Sequence, residues 1–261
     1  MKEWFKMKVG IFDSGVGGIT VLKQAMEYLP GAEYIYYTDN LHVPYGTKPK
    51  EEVYGYVKQI VDFLVEEGVD VIVIACNTAT CIAVQRLREQ VRIPIIGMEP
   101  AVKLALEDQE QGKILVTATP LTLTTDKYNN LVRELDVNQR TVPLPLPELV
   151  QFAEKREFYE DKLCAYFKEK LAPYNLNEFS GMVLGCTHFV YFKRYLEKIL
   201  PPHMKIYDGN EGTVRHLKEC LAANELLVNN SENVITNQIT FYYSGEKCKS
   251  LDILEAYLKL V

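Results

Sequence analysis

Six short runs are apolar almost throughout and stop at a small or polar residue: KVGIFD (8–13), EYIYYTD (33–39), VDVIVIA (69–75), RIPIIGM (92–98), KILVTATP (113–120) and GMVLGCTH (181–188). Strands that do not alternate between apolar and polar must be covered on both faces, which is the situation of a parallel sheet between helical layers. The intervening sequence supplies the helices. Ile19, Leu22, Met26 and Leu29 recur at helical spacing before Pro30-Gly31 stops them. Val53, Val57, Ile60, Val61 and Leu64 form one face of a second helix that Gly68 closes. A third helix is expected from about Thr78 to Gln90.

The order then starts again. KILVTATP matches KVGIFD in kind, and GMVLGCTH matches VIVIACNT, with a cysteine at the same place in each. A chain of 261 residues suits two modest domains. The expected fold class is α/β, with two similar doubly wound parallel-sheet domains related by a pseudo-twofold axis and an active site between them. After Pro201-Pro202 come KIYDG, a helix from about Thr213 to Ala223, a strand in NQITFYYSG (237–245) and a helical stretch DILEAYLKL (252–260). This tail is long enough to return to the first domain.

A net charge of −6 with no Lys/Arg block argues against a nucleic-acid partner. No apolar run reaches the roughly 20 residues that cross a bilayer, and the first residues lack a signal-peptide core. No membrane association and a cytoplasmic location are expected. The six cysteines are too sparse for a disulfide framework and read as free thiols.

Cys76 and Cys186 each sit at the carboxyl end of a strand and before a helix, where ligands of open α/β sheets collect. A helix N-terminus favours a thiolate and lowers a thiol pKa from about 8.5. Asn77-Thr78 and Thr187-His188 follow them, and His188 is placed to orient its thiol or exchange protons with it. FDSGVGG (12–18) sets Asp13 at a third strand end, before a glycine turn whose N–H groups, with the Ser14 hydroxyl, suit a carboxylate or phosphate. It does not fit G-x-G-x-x-G, since Thr20 stands where the last glycine belongs, and no Walker A motif occurs. Pro44-Tyr45-Gly46 reads as a rigid turn offering an aromatic hydroxyl, either a substrate clamp or a plain loop. No CxxC or HxxxH spacing is present, so a metal is not expected. Cys81, Cys164, Cys220 and Cys248 read as packing residues. Without CxxC a dithiol redox pair is disfavoured. Two thiols on opposite faces of a substrate suit proton removal on one side and delivery on the other, which inverts a carbon centre.

FDSGVGGITVL, YYTDNLHVPYGTK, ACNTAT and GCTH, in this order, resemble the glutamate racemases of the aspartate/glutamate racemase superfamily over about Lys8 to Gly209. The resemblance implies a cofactor-independent isomerase that interconverts L- and D-glutamate and supplies D-glutamate for bacterial peptidoglycan, as a homodimer. It implies that Cys76 acts on the D-isomer and Cys186 on the L-isomer, with Asp13 assisting the first thiol and His188 the second. Asp13-Ser14, Pro44-Tyr45-Gly46, Asn77-Thr78 and Thr187-His188 match substrate-contacting positions, as do Thr119 and Thr122. Glu154 matches a supporting carboxylate. Val190 stands where relatives often carry proline, which bears only on how the helix after Cys186 begins. The domains implied are 1–97 with 207–261, and 98–206.

Overall fold

The computed structural model describes residues 7–98, 101–108, 111–136, 139–224, 226 and 238–261. The first half of the chain contributes β1 (Lys8–Asp13), β2 (Glu33–Thr38), β3 (Val71–Ile74) and β4 (Ile95–Gly97), with α1 (Ile19–Tyr28), α2 (Lys50–Glu66) and α3 (Asn77–Arg88) between them. After α4 (Ala101–Asp108), the pattern repeats as β5 (Lys113–Ala118), β6 (Thr141–Pro145), β7 (Phe179–Leu184) and β8 (Lys205–Asp208). These are joined through α5 (Pro120–Leu123), α6 (Asp126–Leu135), α7 (Glu148–Glu154), α8 (Glu160–Leu171) and α9 (Lys193–Leu196). The tail forms α10 (Asn210–Ala223), β9 (Gln238–Tyr243), β10 (Glu246–Lys247) and α11 (Asp252–Leu258). Asn237, at the start of the expected strand, lies outside the described residues.

One sheet runs β10-β9-β2-β1-β3-β4 and the other β6-β5-β7-β8. The segment β2-β1-β3-β4 and the whole second sheet have the same strand order, so the repeat read from the strand ends is a repeat of topology. All pairings are parallel except β10 on β9, an antiparallel edge hairpin. The strands are apolar on both faces because helices cover both; Val71–Ile74 is buried at every position. Strand β6, TVPLP, was not legible in the sequence because two prolines argue against a strand. It sits at a sheet edge, where one side of the ladder needs no N–H donors.

Helix α2 ends at Gly68, with φ 71°, and the turn that follows α1 passes through Gly31, with φ 88°, a conformation that costs glycine little. The segment after Cys186 differs from the expected α-helix. Thr187–Phe192 is a 3₁₀ turn that becomes α-helical only at Lys193. Strand β8 pairs with β7 as far as Asp208 against Leu184, so a boundary at 206/207 falls inside a strand of the second sheet.

The tail ties the halves together. Strand β9 adds to the free edge of β2, from Glu33 against Gln238 to Thr38 against Tyr243. Helix α10 packs on α1, where the Asn210 amide donates to Thr20 Oγ1 at 2.9 Å. Helix α11 reaches the second lobe through Tyr257, whose hydroxyl donates to the Ala153 carbonyl at 2.8 Å. One apolar cluster is continuous across both lobes, including Ile19 and Leu22 of the first and Leu149, Phe189 and Phe192 of the second. No helix among the described residues is long and apolar enough to cross a membrane.

Phe241 of β9 is fully buried with its ring centroid 5.8 Å from that of Tyr36. Phe241→Ala is expected to lower stability by about 3–5 kcal/mol in urea unfolding, the range for emptying a buried aromatic site. A loss below about 1 kcal/mol would show that the tail adds little to the first lobe's core.

Candidate active site

The parallel register places the carboxyl ends of β1, β2 and β3 side by side, and those of β5 and β7 likewise. Contacts between the lobes run from one set of ends to the other. Thr187 Oγ1 of the second lobe donates to Asp13 Oδ2 of the first at 2.9 Å. Thr78, at the start of α3, shares a hydroxyl cluster with Thr119 at 3.0 Å and Thr122 at 2.9 Å. A Cβ on Gly46 would stand 2.5 Å from the Thr119 Cβ, so the turn after Pro44 touches the second lobe as backbone.

Cys76 is the N-cap of α3 and accepts the Ala79 N–H on its sulfur at 3.5 Å; its own thiol donates to Ser14 Oγ at 3.5 Å. The expectation that the helix end lowers this thiol's pKa is corrected by the structure. Burial pushes the Cys76 pKa up, and the neighbouring Asp13 carboxylate adds to that; the Ala79 N–H and Ser14 only partly oppose it, and Cys186 also raises it. One helix N-terminus does not offset the loss of solvent around the sulfur. The effect of Cys186 on Cys76 also shows that the two thiols share one electrostatic environment.

Cys186 lies with its sulfur 3.7 Å from His188 Nδ1, and the other ring nitrogen is 2.6 Å from Glu154 Oε1. Burial alone would lower the His188 pKa, but the bonds to Cys186 and Glu154 reverse this and raise it well above its usual value. The imidazole therefore holds its proton between a sulfur and a carboxylate. His188 is buried rather than solvent-facing.

The glycine turn does not present its first donors to a ligand. The Gly15 N–H goes to Asp13 Oδ1 at 2.9 Å and the Val16 N–H to Glu154 Oε1 at 2.8 Å. What the turn provides is room. A Cβ on Gly15 would collide with the Glu154 carboxylate, and one on Gly17 would stand 2.6 Å from His188 Nδ1. Tyr36 and Tyr191 pin it from either side by donating to the Gly15 and Val16 carbonyls at 2.9 and 2.8 Å. The Tyr45 hydroxyl likewise is not turned toward a ligand, because it donates to Asp39 Oδ2 at 2.5 Å.

Asp13, Ser14, Cys76, Thr78, Thr119, Thr122, Cys186, Thr187 and His188 are thus gathered into one buried interlobe site, with Glu154 behind it. Asn77 and Thr122 also border a cavity of about 290 Å³ between the lobes, which Cys81 lines too. Sequence reasoning assigned no role to Asp39 and Asn40, although both lie within the stretch YYTDNLHVPYGTK, because their partners Tyr45 and Glu154 are set by the fold. No group of three or more His, Cys, Asp or Glu among the described residues is arranged to hold a metal.

This chain matches the family model described as Asp/Glu/Hydantoin racemase over residues 19–217. The chain belongs to that family. Among its relatives in the racemase family, a glutamate racemase of Halothermothrix orenii is 49% identical over 254 residues, covering 95% of this chain and 99% of that protein. The crystal structure of glutamate racemase isoform RacE1 from Bacillus anthracis superposes with TM-score 0.84 at 29% identity, covering 97% of this chain and 92% of that one. A glutamate racemase from Francisella tularensis subsp. tularensis SCHU S4, crystallised with D-glutamate, superposes with TM-score 0.82 at 27% identity, covering 97% and 94%.

Asp13 is fully buried, and loss of solvent raises its pKa from 3.8 to about 6; His188, the Gly15 N–H and Thr187 pull it down, and Glu154 pushes it up. A folded carboxyl with a raised pKa binds more protons than the unfolded chain between the two values. Asp13 therefore makes stability fall as pH rises through about 4 to 6, with the full penalty present above that window. In Asp13→Asn the penalty is absent, so the unfolding free energy of the variant relative to the parent is expected to grow by about 2–3 kcal/mol from pH 4 to pH 7. Urea unfolding at several pH values checks this, and a pH-independent difference would contradict it.

Proposed function

We propose that this racemase-family chain interconverts L- and D-glutamate through proton transfers at Cys76 and Cys186, and so supplies D-glutamate for bacterial peptidoglycan. The observation that carries the reading is the Asp13–Thr187 hydrogen bond, which joins the Cys76 side of one lobe to the Cys186 side of the other. The relatives named above support glutamate as the substrate.

The two sides differ in proton content. Cys76, raised by burial and by Asp13, rests as a thiol. Cys186 faces a protonated imidazole, the partner a thiolate requires. In the L-to-D direction the Cys186 sulfur takes the α-proton and becomes a thiol, and the electron pair left on carbon is shared with the substrate carboxylate. The Cys76 S–H delivers its proton to the opposite face and is left as thiolate. The carbon is inverted and the enzyme is left with its two thiols exchanged in protonation, which solvent resets. The D-to-L direction runs the same steps backwards.

Asp13 sits beside Cys76, where it receives or returns that thiol's proton; its pKa of about 6 suits exchange near neutral pH. Ser14, Pro44-Tyr45-Gly46, Asn77-Thr78, Thr119, Thr122 and Thr187 are the substrate-contacting set, supplying hydroxyls and backbone donors fixed before the reaction. Cys76 and Cys186 are 6% and 8% exposed, so substrate reaches them by parting of the lobes, and reclosure excludes water. Two domains, 1–97 with 207–261 and 98–206, are the moving parts, with the second boundary shifted past Asp208 to keep β8 whole. A homodimer without cofactor in the cytoplasm completes the proposal.

Cys76→Ala and Cys186→Ala are each expected to lower kcat/KM by about 10²–10⁴-fold. The loss is equal in both directions, because free L- and D-glutamate have the same free energy. The check is circular dichroism of glutamate at equilibrium and initial rate, with parent enzyme in D₂O placing deuterium on the α-carbon of the product. Binding of both isomers with no deuterium entering either would make the chain a carboxylate-binding protein instead.

A further inference from the structure

The carboxylate behind His188 belongs to the second lobe, yet the first lobe supplies donors to both of its oxygens. Glu154 Oε1 accepts the Val16 N–H at 2.8 Å and lies 2.6 Å from His188 Nε2. Its other oxygen accepts the side-chain amide of Asn40 at 2.8 Å. Asn40 is the single donor to Oε2 among the described residues. The orientation of that amide is fixed from its other end, where buried Thr38 donates its hydroxyl to Asn40 Oδ1 at 2.6 Å. Turned over, the amide would set oxygen against carboxylate oxygen, two acceptors with no proton between them.

We propose that Asn40 is a positioning residue for the proton chemistry at Cys186, acting from the first lobe by orienting the Glu154 carboxylate that holds His188 against that thiol. The inference rests on the racemase reading. A continuous run of contacts starts at Thr38 on the carboxyl end of β2, passes through Asn40, Glu154 and His188, and ends at the Cys186 sulfur. Glu154 is the last residue of α7, and the donor on Oε2, added to the Val16 N–H and His188 on Oε1, fixes the carboxylate plane and keeps Oε1 on the imidazole. Because Asn40 and Glu154 lie on different lobes, the bond forms only when the lobes meet. Closure on substrate and readiness of the Cys186 side are thereby the same event.

Asn40 also tunes charge. A hydrogen bond donated to a carboxylate offsets part of its negative charge, so losing it leaves more of that charge facing the imidazole. The other titratable groups around the Glu154–His188 pair are Asp13, Cys186, Tyr36, Tyr191, Tyr243 and Tyr257. None of these is a cation that would take over the role of Asn40, and the nearby Arg156 guanidinium lies over the Tyr257 ring, 5.7 Å from its centroid.

The test compares parent, Asn40→Ala, Asn40→Ser, Glu154→Gln and the Asn40→Ala/Glu154→Gln pair in both directions over pH 5–10. Asn40→Ala is expected to lower kcat about 10-fold with KM within about twofold, since an interaction that orients a reacting group acts on the chemical step. Its pH profile should shift upward by about half a unit, and Asn40→Ser, which keeps a donor, should recover part of both changes. In the Glu154→Gln background, Asn40→Ala should add less than about twofold, because two residues acting through one contact are not additive. Independently of turnover, the His188 imidazole followed by NMR of ¹³C-histidine protein should titrate higher in Asn40→Ala than in the parent. Effects that multiply with Glu154→Gln, or an unchanged His188 titration, overturn the proposal. Parent enzyme inactive on glutamate would overturn the racemase reading instead, and the His188 titration would still decide the role of Asn40.

Discussion

A carboxylate kept from water at the seam of two lobes is the constraint on which this structure rests. Asp13 ends a central strand of the first sheet, is fully buried and has no salt-bridge partner among the described residues. It is tolerated because the charge of the nearby His188 imidazole favours it and because the Gly15 N–H, Ser14 and the Thr187 hydroxyl from the opposite lobe replace part of its solvent. The replacement is partial, and the cost appears as a carboxyl that gives up its proton late. The same seam that satisfies Asp13 brings the two thiols into one electrostatic environment, so what holds the lobes in register also assembles the proposed site.

The two halves repeat a topology but not an environment. Cys76 sits among groups that disfavour its ionised form, next to an anionic oxygen. Cys186 sits beside an imidazole whose proton is secured from behind by Glu154. The proposed two-sided proton exchange needs one donor and one acceptor at any moment, and a pseudo-symmetric cleft with unlike partners suits that need. The glycine turn serves this by being small. Gly15 and Gly17 lie where Glu154, Thr187 and His188 must approach, and any side chain there would hold the lobes apart.

Much of this was readable from local pattern. Apolar runs without alternation gave buried parallel strands, helical spacing gave the covering layers, and the cysteines fall at matching strand ends as read, because each signal is carried by residues adjacent in the chain. The proline-bearing edge strand Thr141–Pro145 was not readable, since what permits it is its place at the sheet margin. Nor was the turn after Cys186 readable as 3₁₀ rather than α.

The sequence by itself determined the fold class, the strand-end positions of Asp13, Cys76 and Cys186, and, through its motifs, the family. Tertiary structure decided which groups face one another and in what charge state. Burial, not the helix end, sets the Cys76 thiol; Tyr45 gives its hydroxyl to Asp39; Asn40 reaches across the seam to Glu154, 114 residues away in the chain. Desolvation and long-range hydrogen bonds depend on what the rest of the chain brings near, and no local pattern of residues encodes that.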